Sequence, residues 1–213
     1  MNTTSDLPIL TPAEARVLGC LIEKKELTPD IYPLTLNAAH AAANQKTARD
    51  PVMALEQVEV HRALKQLEQK GLVRQIFASR VERYEHQMAQ RFSLTTAQTA
   101  IIGLLMLRGP QTAHELLART ERMARYQSVE NLRDDLDLLI GRRPPLIKEL
   151  GRAPGQREER FAHLLSGDVQ ASAAPEPLRV SSVGSPELEE RVRALEEKVA
   201  ELAAQLQALR GGA

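Results

Sequence analysis

The sequence predicts a mainly α-helical protein with small β-hairpins, built from a duplicated unit that is followed by a linker and a coiled-coil helix. Three observations support this fold class. The composition is 43% hydrophobic but only 3% aromatic over 213 residues, so the core must be largely aliphatic, which favours helices. The same order of helix and strand signals occurs twice along the chain. A heptad repeat of apolar residues lies near the C-terminus.

The first unit, residues 8–93, begins with a capped helix. Thr11 and Glu14 form a capping box ahead of an apolar-periodic run. Gly19 lies in the middle of this run. Cys20 falls on the buried side of the helix, where we expect it to be an inert, small apolar residue.

Two further helices and a hairpin complete the first unit. A middle helix is predicted at about residues 34–43, and a third helix carries Val60 and Leu67 on one apolar face. Two β-prone runs follow, at residues 72–77 and 82–86, separated by a polar turn. The unit therefore consists of three helices and a hairpin.

The second unit, residues 94–166, repeats these signals in the same order. Thr95 and Gln98 form another capping box, and Gly103 follows at the place that Gly19 holds in the first unit. The apolar face of the third helix recurs with Val129, Leu132 and Leu136. The hairpin peptide Glu82-Arg83-Tyr84-Glu85-His86 also returns, as Glu159-Arg160-Phe161-Ala162-His163. Because side chains alternate along a strand, both aromatic residues should face the helices.

Three small helices around one apolar centre, closed by a two-stranded hairpin, are typical of the winged-helix variant of the helix-turn-helix. The sequence therefore predicts two tandem winged-helix domains followed by a linker and a C-terminal coiled-coil helix. Units of this size bury only part of their surface alone. We expect the two to pack on each other.

The C-terminal part of the chain changes in composition. Residues 167–185 are rich in Ser, Ala, Pro and Gly, which predicts a flexible linker. In residues 186–210 apolar residues recur at alternating intervals of four and three, and this pattern predicts a coiled-coil helix that joins two chains into a homodimer. The alternative is a helix that packs against its own domain. The predicted dimerisation residues are Leu188, Val192, Leu195, Val199, Leu202, Leu206 and Leu209.

The charge pattern suggests where a partner could bind. The 28 basic residues balance 28 acidic ones, which excludes a strongly basic polyanion binder. The third helix of the first unit nevertheless shows cationic and amide side chains opposite its apolar face, and such groups can contact phosphate, guanine or adenine. An ordinary solvated helix face is the alternative. The candidate DNA-binding residues are Lys46, Arg49, Arg62, Lys65, Gln66, Gln69, Arg74, Arg80 and Arg83.

The third helix of the second unit differs in charge. It carries Glu130, Asp134, Asp135 and Asp137 around a single Arg133. A DNA backbone would repel this surface. We expect the second unit to pack, to dimerise or to bind a basic protein partner.

The sequence contains no motif for catalysis, a cofactor or a metal. The five histidines lack second ligands at metal-binding spacing, and one cysteine cannot build a structural zinc site. The longest apolar stretch, residues 101–107, is too short to span a membrane, and the N-terminus has no secretory signal. We expect a cytoplasmic protein that is not an enzyme.

Several runs of the sequence resemble the YceH-like family of bacterial proteins, which is known for tandem winged-helix domains. The matching segments are residues 10–24, 32–37, 44–52, 80–86, 107–112 and 154–161. The resemblance covers roughly residues 8–167 and implies the fold, but it implies no activity and no catalytic residues. The segment 44–52 lies between the second and third helices, where DNA-reading proteins usually have three or four residues. The long turn could tilt the third helix away from a DNA groove, or could itself be the contact surface.

We therefore predict a dimeric, non-enzymatic tandem winged-helix protein that binds double-stranded DNA through its first domain in a regulatory role. The alternative is a protein-protein interaction scaffold resembling the tandem winged-helix subunits of chromosome-organising complexes. Those proteins use the fold without reading bases. Neutral net charge and the acidic second unit favour the scaffold, whereas the third helix of the first unit favours DNA binding.

Overall fold

In the computed structural model, helices and short antiparallel strands follow the same order in two successive parts of the chain. The structure describes residues 7–78, 81–152, 158–167 and 198. We refer to residues 8–93 as lobe 1 and to residues 94–166 as lobe 2. The predicted linker and coiled-coil helix lie outside the described residues, apart from Lys198.

Each lobe contains a long first helix, two further helices and three strands, and lobe 1 ends with a short fourth helix. Lobe 1 comprises α1 (Pro12–Leu27), β1 (Leu34–Thr35), α2 (Leu36–Ala43), α3 (Gln57–Gln69), β2 (Val73–Ala78), β3 (Val81–His86) and α4 (Met88–Phe92). Lobe 2 comprises α5 (Thr96–Arg108), β4 (Gln111–Thr112), α6 (Ala113–Thr120), α7 (Val129–Ile140), β5 (Ile147–Leu150) and β6 (Arg160–His163). The short helix α4 connects the two lobes.

The predicted helix starts are confirmed in atomic detail. The Oγ1 atom of Thr11 accepts the amide hydrogen of Glu14, and the Glu14 carboxylate accepts the amide hydrogen of Thr11. The same reciprocal pair joins Thr95 and Gln98 at the start of α5. Each box satisfies amide groups that would otherwise have no partner at a helix N-terminus.

Both predicted hairpins are present, but each sheet has a third strand that the sequence pattern did not reveal. The strand orders are β1-β3-β2 and β4-β6-β5, all antiparallel. The added strands β1 and β4 have two residues each, too few for an alternating pattern to be recognised. They pair with the middle strand at its aromatic residue, Leu34 with Tyr84 and Gln111 with Phe161.

One buried cluster of apolar side chains extends through both lobes, from Leu10 to Leu165. Tyr84 and Phe161 are buried in it, as strand alternation predicts. His86 lies on the same strand face as Tyr84, and burial lowers its pKa to about 4. The two lobes therefore share a core.

Helices α1 and α5 cross at the duplicated glycines. A Cβ atom on Gly19 would lie 2.9 Å from Cγ of Leu107 and 3.2 Å from the carbonyl oxygen of Gly103. A Cβ atom on Gly103 would lie 2.7 Å from Cγ2 of Ile22. These separations are too short for carbon atoms that are not bonded, so this crossing requires glycine even though glycine weakens a helix.

We expect Gly103→Ala to lower the free energy of unfolding by about 1–3 kcal/mol, because the added methyl group forces α1 and α5 apart. This loss should exceed the gain in helix propensity, which is about 1 kcal/mol. Urea unfolding followed by circular dichroism measures the change. The control is Gly151→Ala, where a Cβ atom meets nothing within 4 Å. Equal stability of the two variants would show that the crossing tolerates a side chain.

Candidate nucleic-acid interface

The exposed face of α3 is set by the periodicity of its apolar residues. Val60, Ala63, Leu64 and Leu67 are buried in the core. The opposite face therefore points to solvent. The exposed residues of α3 are Gln57, Val58, Glu59, Arg62, Gln66 and Gln69.

Two of the predicted cations are free for an external partner. Arg62 on α3 and Lys46 in the turn before it are both exposed. Within the described part of the chain, neither makes an ion pair or a hydrogen bond. With the amides of Gln66 and Gln69, they form what we call the α3 face: Lys46, Arg62, Gln66 and Gln69.

Lys65, another predicted DNA-binding residue, is engaged in intramolecular contacts. Lys65 donates to the side chains of Glu68 and Gln75, and its Nζ atom lies 6.0 Å from the ring centre of Tyr84. This lysine therefore joins α3 to the sheet.

The two hairpin arginines also have partners. The guanidinium of Arg74 donates to Glu85 on the neighbouring strand. Arg83 donates to the carbonyl oxygens of Ile31 and Pro33. The Arg74 side chain is still 64% exposed, whereas Arg83 is half-buried, so Arg74 keeps the larger surface that a phosphate could reach.

The prediction that Arg49 contacts DNA is wrong. Its side chain is fully buried, and its guanidinium binds the Glu23 carboxylate through two hydrogen bonds of 3.0 and 2.6 Å. It also donates to the carbonyl oxygens of Ala42 and Ala48. Burial alone lowers the pKa of this group, but hydrogen bonds and the charge of Glu23 outweigh burial and raise it. Arg49 thus anchors the turn between α2 and α3 to α1.

The long turn between α2 and α3 is an ordered structure. The side chain of Asn44 accepts the amide hydrogen of Leu55 and donates to its carbonyl oxygen, at 2.7 and 2.8 Å. A second buried arginine, Arg16, donates to the carbonyl oxygens of Ala43 and Pro51. These contacts fix both ends of the turn, so the position of Lys46 relative to α3 is set by the core.

The remaining predicted site residues cannot be placed. Arg80 lies outside the described residues. So do the predicted dimerisation residues, which are Leu188, Val192, Leu195, Val199, Leu202, Leu206 and Leu209.

The corresponding face of α7 in lobe 2 has the opposite charge. The apolar residues of the two helices align Arg62 with Asn131, Lys65 with Asp134 and Gln69 with Leu138. Asp134 and Leu138 are exposed, Leu138 to 62%. The acidic character continues onto the sheet, where Glu149 takes the place of Gln75 as the partner of the aromatic residue on the middle strand.

Beside α7 lies an open groove of about 810 Å³, bordered by the start of α5. Asp137, Leu138 and Arg142 line it. A neighbouring carboxylate, Asp135, accepts hydrogen bonds from Gln98 and from the Tyr126 hydroxyl, both at 2.7 Å. Asp135 is therefore a structural residue, whereas Asp134 and Asp137 remain available to a partner.

The single cysteine is inaccessible to solvent, and His163 is partly buried. Cys20 is fully buried, and burial raises the pKa of its thiol to about 11. His163 has a pKa lowered to about 4 by burial. Within the described ranges no cluster of three or more metal-ligating side chains occurs. No described helix combines the length and apolarity needed to cross a bilayer.

Fold and surface together define a class: two-lobed proteins built from a duplicated helical unit with a small sheet, in which one copy of the third helix has balanced charges and the other is acidic. A family model described as "Protein of unknown function, DUF480" matches residues 10–156. The chain belongs to this family of uncharacterised bacterial proteins, whose curated members carry the designation UPF0502.

The relatives match over nearly their whole lengths. A UPF0502 protein of Mesorhizobium japonicum is 72% identical over 208 residues, covering 98% of this chain and 100% of the relative. One from Xanthomonas campestris is 54% identical over 215 residues, covering 98% and 96%. One from Stenotrophomonas maltophilia is 50% identical over 213 residues, covering 98% and 97%. The predicted membership in an uncharacterised bacterial family is confirmed, and the YceH-like designation stays a resemblance.

Proposed function

We propose that each lobe is a winged-helix domain and that the protein binds double-stranded DNA through lobe 1, in a regulatory and non-enzymatic role in the cytoplasm. Three helices, a hairpin and a short third strand occur in each lobe in the order that this fold requires. In that fold the third helix and the hairpin are the elements that approach DNA.

The observation that carries the proposal is the difference in charge between two equivalent helices, since α3 has balanced charges and α7 is net negative. Both α3 and α7 bury an apolar face, and Ala63 and Leu67 of α3 align with the buried Leu132 and Leu136 of α7. On α3 the free cation Arg62 lies with the amides of Gln66 and Gln69 and one exposed carboxylate, Glu59, whereas α7 exposes Asp134 and Asp137. Because the two lobes share the same order of elements, the difference lies in the surface and supports DNA binding through lobe 1.

The chemistry of the α3 face suits a duplex. Arg62 can bind guanine or phosphate, and Gln66 and Gln69 can pair with adenine. Lys46 can neutralise a phosphate beside the helix. The first turn of α3 carries Glu56 and Glu59, which satisfy their own capping box, so contact with the phosphate backbone runs along the middle and end of the helix.

We expect Arg62→Glu and Lys46→Glu each to weaken binding of a labelled duplex and to reduce the slope of log K against log salt by about 0.9. Anisotropy titrations at several salt concentrations measure both quantities. Both side chains are exposed, so the variants should unfold at the same urea concentration as the original protein. Lys65 is left unchanged because it packs on the sheet.

The control is Arg122→Glu, which makes the same change of charge at an exposed arginine of lobe 2. It should leave the salt slope unchanged. Failure of the unsubstituted protein to bind duplex at low salt would contradict the proposal. Equal loss of affinity in all three variants would show that only net charge matters.

The second candidate is the protein-interaction scaffold, and the observation that favours it is the acidic face of α7. Its groove combines the exposed Leu138 with two free carboxylates, a surface suited to a basic protein segment. This role can coexist with DNA binding by lobe 1. The proposal also includes self-association through the C-terminal heptads, which rests on the sequence pattern.

A further inference from the structure

The end of the β2–β3 hairpin carries an unusually exposed aromatic residue. Phe77 is 80% exposed, the highest value among the large exposed hydrophobic residues of the described chain. Val81, on the neighbouring strand, is 52% exposed. Exposing such apolar side chains to water is unfavourable, and the free energy falls when a partner covers them.

The strand register shows where the ring lies. Phe77 pairs with Glu82, and Gln75 pairs with Tyr84, so Phe77 shares the sheet face that packs against α3. Gln75 on this face contacts Lys65 of α3. Phe77 is two residues further along the strand, about 7 Å beyond that contact. The ring therefore lies past the edge of the core, on the side of the sheet where α3 lies.

Near the hairpin end, each face of the described strands carries one exposed apolar side chain. Val81 is offset by one residue from Glu82 and so lies on the opposite sheet face from Phe77. The carboxylate of Glu82 is held toward Tyr84 and away from the hairpin turn, because the Tyr84 hydroxyl donates to it at 3.0 Å. Phe77 and Val81 therefore place exposed apolar side chains on opposite faces of the described strands, which is the chemistry of a side chain that inserts between bases.

The equivalent described position of lobe 2 has no aromatic residue. Cross-strand pairing aligns Gln75 with Glu149, since each faces the aromatic residue of its middle strand. The residue two positions further is Gly151, which has no side chain to insert. The exposed aromatic ring and the cationic helix face thus occur in the same lobe.

We propose that Phe77 is a wedge that enters the minor groove of the duplex bound by the α3 face. Apolar side chains inserted between base steps unstack them and bend the DNA, which brings more protein surface into contact. Phe77 therefore adds affinity without neutralising a phosphate. This inference rests on the proposed function, because the α3 face supplies the electrostatic attraction to the duplex.

The chain contains no tryptophan, so Phe77→Trp introduces a single fluorescent reporter at the wedge. On titration with an unlabelled mixed-sequence duplex at low salt, we expect the indole emission to be quenched as the ring stacks on bases. The matched control is Leu138→Trp, which places the reporter at an exposed site on lobe 2. Its emission should stay constant.

Phe77→Ala provides a second measurement. It should weaken binding about tenfold and leave the salt slope unchanged, because a phenyl ring releases no counterions. Its unfolding midpoint should equal that of the original protein, since the ring is exposed.

The outcomes separate the two proposals. Duplex binding that depends on Arg62, without quenching at position 77 and without loss of affinity in Phe77→Ala, overturns the wedge and leaves the DNA proposal intact. No duplex binding by the unsubstituted protein at low salt overturns both. Quenching at positions 77 and 138 alike shows nonspecific coating of the protein and also overturns the wedge.

Discussion

Arg49→Met is expected to lower the free energy of unfolding by about 3–5 kcal/mol, because it leaves the Glu23 carboxylate buried without its partner. The Glu23 side chain is only 8% exposed. Lys24 lies 3.6 Å from the same carboxylate and compensates part of the lost charge. The carbonyl oxygens of Ala42 and Ala48 lose a donor as well. Urea unfolding monitored by circular dichroism measures the loss.

The double variant Glu23→Leu with Arg49→Met is the internal control. It removes both charges and should recover much of the stability, since a buried ion pair can be replaced by apolar groups at little cost. Arg74→Ala removes one member of an exposed pair and should cost less than about 1 kcal/mol. If Arg49→Met costs no more than Arg74→Ala, the buried pair does not hold the turn.

The buried ion pair of Arg49 with Glu23 shows which features of this site sequence patterns can predict and which they cannot. Periodicity along α3 correctly separated the buried Val60 and Leu67 from the exposed Arg62, because that pattern is local. Whether a cation is free depends on a partner that is distant in sequence. Glu23 precedes Arg49 by 26 positions, and no spacing rule connects them.

A weak signal for this pair was present in α1. Arg16, Cys20 and Glu23 recur at intervals of four and three, so all three lie on one helix stripe. The prediction that Cys20 is buried therefore implied buried charges beside it, which need partners of opposite sign. The same reasoning could not have found that Lys65 is held by Gln75, since that contact depends on how the hairpin folds back over α3.

The fold was easier to predict from the sequence than the site. Capping boxes and strand alternation depend on residues only a few positions apart. Thr11 with Glu14 and Thr95 with Gln98 fixed the starts of α1 and α5. The duplicated glycines were visible in the sequence, but the structural reason for glycine at these two positions was not. Only the approach of Gly103 to Ile22 shows that the repeat preserves a helix crossing.

Tyr84→Ala and Phe161→Ala are each expected to lower the free energy of unfolding by about 3–5 kcal/mol, because each removes a buried aromatic ring and leaves a cavity. Tyr84 is wholly buried and Phe161 is 3% exposed. Each ring lies on the middle strand of its sheet, between the hairpin partner and the short third strand. Chemical unfolding midpoints and their slopes measure the effect.

Tyr84→Phe separates the ring from its hydroxyl. That hydroxyl donates to Glu82, which is exposed and can bind water instead, so this variant should cost about 1 kcal/mol or less. Because both lobes contribute to one buried cluster, both alanine variants should shift a single cooperative transition that reports unfolding of the whole body. Two separate transitions, with only one displaced in each variant, would contradict the shared core and show that the lobes unfold independently.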